Sequence, residues 1–265
     1  MLMKKWEELP KEMRTDEVRK YYDILKKKKG SLILKRGFDI TVSALMLAML
    51  SPALLALGIA IKLDSKGPVF YRQERVTQWN ERFRIFKFRS MVQNADQKGS
   101  LVTVKGDARI TRMGKFIRKC RLDEVSQLID VLRGTMTFVG TRPEVPKYTA
   151  EYTPEMMATL LLPAGVTSLA SIYYKDEAEL LDAAKDPDKV YVEEVLPAKM
   201  YYNLKAIEKF SFFGDIKIMI MTVLAVLGIK FKDEKAPETA GNKTDKSTRK
   251  RSAEANEAEK LPETV

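Results

Sequence analysis

The chain has 265 residues, 45% of them hydrophobic, and a formal net charge of +11. That length can bury a sizeable core in one main domain with appendages, and the charge points to an anionic partner: nucleic acid, an anionic bilayer or a phosphorylated small substrate. With no histidine and a single cysteine, Cys120, the chain excludes Ser-His and Cys-His catalysis, the usual zinc sites and an internal disulfide, so any metal should be hard and oxygen-bound, magnesium first.

Residues 1–33 read as a charged helical extension. Thr15 is placed to cap a helix carrying Val18, Tyr21, Tyr22 and Leu25, with Gly30 at its end. No small-residue cleavage site follows, so the segment is expected to be retained. Residues 34–62 hold the only stretch long enough to cross a bilayer, Phe38 to Ile61, broken at Ser51-Pro52. Proline removes a backbone donor, and the serine hydroxyl can partner a freed carbonyl. Both flanks are basic, with Lys35 and Arg36 before the stretch and Lys62, Lys66 and Arg72 after it, so charge gives no clear orientation. A re-entrant hairpin of two half-helices satisfies both observations, and a kinked transmembrane helix is the open alternative.

Residues 63–231 read as one domain with interfacial helices. Pro68 to Val76 and Arg82 to Met91 alternate as two strands around a Gln78-Trp79-Asn80 turn. The second brings Arg84, Lys87 and Arg89 close together, either as a phosphate-facing set or as a solvated face. Asp107 to Lys119 predicts a basic helix with Arg109, Arg112, Lys115 and Arg118 at three-residue steps, which suits solvent, a membrane surface or phosphate. Asp123-Glu124 then opens an amphipathic helix, because Val125, Leu128, Ile129 and Leu132 recur at the i, i+3, i+4, i+7 spacing. Two adjacent carboxylates can reach one cation or phosphate over that helix N-terminus, and acidic residues there also simply complement the dipole.

Thr135 to Val139 reads as a short strand. Arg142, between Gly140-Thr141 and Pro143, sits in a restricted loop that suits a guanidinium aimed at phosphate. Tyr148 to Leu162 predicts a helix and Gly165 to Lys175 a loop and strand. Lys175 is either an anion contact or a partner of Asp176 or Glu177. Asp215 to Lys232 predicts a second apolar helix, in the interface or packed on the domain. Residues 232–265 have few apolar side chains and predict disorder.

Taken together, Lys35-Arg36 with Asp39, Ser51-Pro52, IKLDSKGPVFYRQERV, FKFRSM, DARITRMGKFIRK, LDEVSQLIDVLRG, FVGTRP, GVTSLASIYYK and DIKIMIMTVLAVL resemble, in that order, the bacterial sugar transferases: the monotopic polyprenyl-phosphate phosphoglycosyl transferases. The chain looks like the short, catalytic-domain-only form, since no bundle of several spans precedes the hairpin. The resemblance implies a mostly helical α+β monotopic membrane protein, with a re-entrant helix-break-helix hairpin and a compact catalytic domain on the cytoplasmic face of the bacterial inner membrane. It implies transfer of a sugar 1-phosphate from a UDP-sugar to a polyprenol phosphate, undecaprenyl phosphate foremost, with release of UMP. By position in the motifs, Asp123 is the nucleophile that forms a phosphosugar-aspartyl intermediate, Glu124 binds Mg²⁺ beside it, and Arg118 supports the pair. Arg142, Lys175, Lys87 and Arg89 are the substrate-binding candidates, and Arg118 and the helix N-terminus should keep Asp123 ionised. Lys35, Arg36, Ser51 and Pro52 belong to the hairpin.

The product would begin a surface glycan, which leaves room for downstream glycosyltransferases and a homo-oligomer as partners. Several positions depart from the family pattern. Ser126 stands for a usual proline, Thr135 for an aspartate, Thr141 for a proline and Lys175 for an arginine. A non-catalytic membrane scaffold of the same fold is the alternative. The apolar hairpin and the lack of any nucleic-acid module count against nucleic-acid binding.

Overall fold

The computed structural model describes residues 3–93, 95, 107–174, 177–182, 184, 186–229 and 231. Lys175 and the tail from residue 232 lie outside them.

Thr15 accepts a hydrogen bond from the Val18 amide at 3.4 Å and starts α1, Asp16–Lys27. Val18, Tyr21, Tyr22 and Leu25 are all buried, as one face of a 3.6-residue repeat should be. They share a core with Leu160, Leu161, Ile207 and Phe210, so the N-terminal residues fold into the second half of the chain. Lys28 turns the backbone and α2, Lys29–Asp64, follows at once. Gly30, expected to end the first helix, lies inside α2, where the apolar run behind it propagates the helix past the unfavourable glycine.

α2 is a single helix of 36 residues that continues through Pro52, so no gap in the helix marks two halves. Pro52 has no amide to offer the Ala48 carbonyl four residues back. The Ser51 hydroxyl donates to that carbonyl at 2.8 Å, which satisfies the freed acceptor without breaking the helix. α2 is the one helix among the described residues long and apolar enough to cross a membrane, and Leu45, Met49, Leu55, Ile59 and Leu63 are exposed along it.

β1, Phe70–Val76, pairs antiparallel with β2, Arg82–Phe88, with Phe70 opposite Phe88 and Val76 opposite Arg82. The turn between them is a 3₁₀ segment, Gln78–Asn80. α3, Arg112–Lys119, starts later than the Asp107 expected, because the Thr111 hydroxyl is the cap, accepting from Gly114 N at 2.9 Å. Asp107 instead folds back onto Arg109. A 3₁₀ segment, Leu122–Gln127, runs into α4, Leu128–Arg133, which ends at Gly134 with φ 92°.

β3, Met136–Val139, pairs in parallel with β4, Ala164–Thr167. Between them lie α5, Pro146–Thr149, and a 3₁₀ segment, Met156–Leu161, in place of the single helix expected over Tyr148 to Leu162. Pro154 disfavours helical backbone at Thr153 and splits the run. After β4 the Ser168 hydroxyl accepts from Ser171 N and caps α6, Leu169–Tyr173, so the expected strand stops at Thr167. The chain continues as α7, Glu177–Asp182, and α8, Pro187–Val190. A π-helical turn, Tyr191–Val195, then runs into α9, Leu196–Glu208, and α10, Phe212–Val226, closes the fold. α10 packs Ile218 and Met221 against Val139 and Ile172, and leaves Phe213, Ile220, Val223 and Val226 exposed. The described residues form a mostly helical α+β fold with two two-stranded sheets among them.

Candidate active site

Arg121 takes a left-handed conformation, φ 52°, and reverses the chain between α3 and the acidic 3₁₀ segment. The Ser126 hydroxyl donates to the Phe86 carbonyl at 3.0 Å, and the Phe86 amide donates to Asp130 at 2.8 Å. Those two bonds fasten the acidic segment across β2. A proline at position 126 has no hydroxyl to make the first of them.

Asp123 lines a cleft of about 520 Å³ together with Arg118, Lys87 and Ser90. Arg118 reaches Ser90 Oγ at 3.0 Å through Nε. Burial, then the neighbouring Glu124 charge, hold the Asp123 carboxyl above its ordinary value, while Lys87 and Arg118 pull it down. Arg118 thus favours the ionised form of Asp123, as expected, but burial and Glu124 outweigh it. Burial raises Glu124 too, but Arg142, with Lys87 and Arg121, outweighs it and the carboxyl lies below its ordinary value. The Arg142 fork takes both Glu124 oxygens, Nη2 on Oε1 and Nη1 on Oε2, and Nη1 also donates to the Val166 carbonyl. Burial lowers the Lys87 ammonium, and Glu124 opposes it.

A second cavity of about 280 Å³ contains Arg142 and Glu144. Arg75 and Lys87 line both cavities, so the two meet there. On the other side, Phe70 and Phe88 are common to the cleft and to an apolar groove of about 680 Å³ along Leu47, Leu54, Leu55 and Ile59 of α2. The arrangement is a cleft carrying several cationic side chains, with a polar cavity beside it at Arg75 and Lys87 and an apolar groove beside it at Phe70 and Phe88.

Arg89 lies on the wall of the cleft, but its Nη2 is committed to the Ile61 and Ser65 carbonyls and to Ser65 Oγ at the end of α2. Lys35 and Arg36 dock the other end of α2. Lys35 Nζ reaches the Val139 carbonyl at 2.7 Å and Asp215 at 2.6 Å, and Arg36 donates to the Val131 and Leu132 carbonyls at the end of α4. Lys175 lies outside the described residues. Asp123 and Glu124 are adjacent carboxylates, both Glu124 oxygens are taken by Arg142, and no group of three or more Asp, Glu, Cys or His gathers among the described residues. Magnesium, which keeps several waters and takes one or two carboxylates beside substrate phosphate, would have to share Glu124 with Arg142.

The sequence profile of the bacterial sugar transferases matches residues 30–229. The chain belongs to the bacterial sugar transferase family. Among its relatives, the UDP-N-acetylgalactosamine-undecaprenyl-phosphate N-acetylgalactosaminephosphotransferase of Aeromonas hydrophila is 36% identical over 73% of this chain and 44% of its own length. The UDP-glucose:undecaprenyl-phosphate glucose-1-phosphate transferase of Klebsiella pneumoniae is 34% identical over 73% of this chain and 40% of its own length. The uncharacterized sugar transferase EpsL of Bacillus subtilis is 31% identical over 74% of this chain and 88% of its own. The chain thus spans less than half of the first two relatives and most of the third.

Within this sugar transferase, the site residues that motif reading passed over are Arg75, Glu144, Tyr191 and Lys199. Arg75 donates to the Pro143 carbonyl at 3.0 Å beside Arg142. Its place on β1, opposite β2, was the only signal for it, since Lys87 on the paired strand faces the same cavity.

Proposed function

We propose that this sugar transferase moves a sugar 1-phosphate from a UDP-sugar to a polyprenol phosphate, undecaprenyl phosphate as in the names of its relatives, and releases UMP. The observation that carries the reading is that the Asp123 cleft and the apolar groove of α2 lie side by side, with Phe70 and Phe88 lining both. A phosphate on an isoprenoid chain needs such a pairing: cations for the head and a dry, unsaturable surface for the tail.

The Asp123 carboxylate attacks the β-phosphorus of the donor, the bond from that phosphorus to the bridging oxygen breaks, and UMP leaves with the electron pair. The acceptor phosphate then attacks the same phosphorus and expels the carboxylate, giving polyprenyl-diphospho-sugar. Splitting one transfer into two displacements is the use of a covalent nucleophile. Lys87, Arg142 and Arg118 offset the diphosphate charge as it shifts toward the leaving group. Magnesium held by Asp123 and Glu124 would add further charge neutralisation at the donor phosphates.

α2 is proposed to enter and leave one leaflet at Ser51-Pro52, with the domain on the cytoplasmic face of the inner membrane. Support comes from its two ends, since both dock on the same domain: Lys35 on Asp215, and Ile61 on Phe88 and Ile117. UMP release from a panel of UDP-sugars, with polyprenol phosphate and Mg²⁺, tests the reaction. Release that depends on one donor and vanishes in Asp123→Asn is the expected result. Release undiminished in that variant would sink the assignment.

A further inference from the structure

Glu144 follows Arg142-Pro143 and stands in the cavity on the far side of Lys87 from Asp123. It is 7% exposed. Its Oε1 accepts from the Tyr191 hydroxyl at 2.6 Å and from Lys199 at 3.1 Å, and Lys199 also donates to that hydroxyl at 2.9 Å. Tyr191 opens the π-helical turn before α9, a feature that often marks a functional position. The Tyr148 ring packs on Tyr191 with centroids 4.3 Å apart and fixes it further. One oxygen of Glu144 is therefore held rigidly. The other, Oε2, takes no hydrogen bond from the described residues, and Glu144 lines the cavity, which leaves that oxygen as the acceptor on offer to a ligand there.

Displacement at phosphorus places attacking and leaving oxygens roughly in line on opposite sides. With Asp123 in the cleft and Lys87 and Arg75 at the junction, a donor whose β-phosphate sits at the junction directs its leaving phosphate toward Arg142 and the second cavity. The unit joined to that phosphate is a ribose, which carries two hydroxyl donors. A carboxylate with one locked and one open oxygen is suited to a hydroxyl donor, and Tyr148 and Tyr191 give the base an aromatic wall.

We infer that the second cavity is the subsite of the leaving nucleoside monophosphate, with Glu144 Oε2 accepting a ribose hydroxyl and Tyr191 and Lys199 holding the carboxylate in place. The inference rests on the donor reading above and assigns the pyrimidine nucleotide end of that donor.

Isothermal titration of the purified full chain in detergent with UMP, 2′-deoxy-UMP and 3′-deoxy-UMP tests it without turnover. The wild type should bind UMP about tenfold more tightly than the weaker deoxy analogue, the size of one charge-assisted hydrogen bond. Glu144→Gln keeps an oxygen for Tyr191 and Lys199 but replaces the open acceptor with an amide donor, so it should bind all three within about twofold. Equal binding of all three by the wild type, which needs no variant to fold, overturns the inference, as does a preference that survives in Glu144→Gln. So does a variant that binds UMP normally and loses only intact UDP-sugar, because the carboxylate then reads the sugar. Absence of UMP binding by folded wild type would overturn the donor reading itself, whereas binding without ribose discrimination overturns the Glu144 subsite alone.

Discussion

As the proposed nucleophile, Asp123 must be ionised, yet burial and then Glu124 hold its carboxyl above the ordinary 3.8. Since kcat/KM reports the free enzyme, its acid limb should fall at a pH above 3.8; a limb at or below that value would remove Asp123 as the titrating group. The same shift has a stability sign. A carboxyl raised in the folded state ionises more easily unfolded, so its charge opposes folding above the ordinary value, and the penalty disappears below it, where both states are protonated. Asp123→Asn should therefore abolish UMP release and raise the melting temperature at neutral pH, by on the order of 2–4 °C per kcal/mol relieved, with no gain in acid. A differential scan at two pH values checks it.

Arg142 acts through its fork, and lysine cannot span both Glu124 oxygens and the Val166 carbonyl. Arg142→Lys should cut kcat/KM by about 10²-fold. The stability cost should stay within roughly 1 kcal/mol, because both partners keep about a third of their side-chain surface in solvent, 33% and 27%. Kinetics beside urea unfolding separate the two effects. Asp123, Glu124, Arg118, Lys87 and Arg142 were singled out because they lie in the ordered motifs that carry the family resemblance. Arg89 carried the same strand signal as Lys87, but alternation along β2 does not reveal that its end meets the carbonyls closing α2. Glu144, Tyr191 and Lys199 meet only through the fold.

At the scale of elements, side-chain spacing revealed α1 and both strands of the hairpin, and the flanking glycines and Pro143 revealed β3, while short-range chemistry moved the boundaries. Thr111 delays α3, Pro154 divides the run before β4, and Ser168 turns an expected strand into α6. Ser51 had the converse effect: by taking the Ala48 carbonyl it let the helix continue past Pro52. Close approach decides one further element. A Cβ on Gly114 would lie 1.9 Å from the Ser90 carbonyl oxygen, and Arg118 on the same helix is held to the Ser90 hydroxyl. Gly114→Ala should lift α3 off that strand end, cost about 1–3 kcal/mol and reduce UMP release in step. Gly30→Ala is the matching control, for nothing lies within 4 Å of its new methyl; it should leave activity alone and gain up to about 1 kcal/mol of helix stability.

For the whole molecule the question is how a helix of 36 residues, about 54 Å if straight, meets a bilayer whose core is about 30 Å thick. A single span would part its two ends onto opposite faces. Here the first end is tied by Lys35 to Asp215 and Val139, and by Asp39 to Thr137. The second is tied by Ile61 to Phe88 and Ile117, and by Asp64 to the Met113 amide. α1, just before the helix, is buried in the domain core. Separating the ends would expose that buried ion pair, the Asp39 hydrogen bond and that core together, a far larger cost than seating the exposed middle of α2 and the outer face of α10 in one leaflet. Both ends should therefore lie on one side. Cys120 is exposed and the sole cysteine, so it reports the domain directly. Glu7→Cys in a Cys120→Ser background reports the N-terminal side, since Glu7 is exposed. Neither thiol should react with an impermeant maleimide in intact cells, and both should react after permeabilisation. Labelling of the Glu7→Cys variant from outside, with Cys120 protected, would mean that α2 crosses the membrane and that its two ends do not share a domain there.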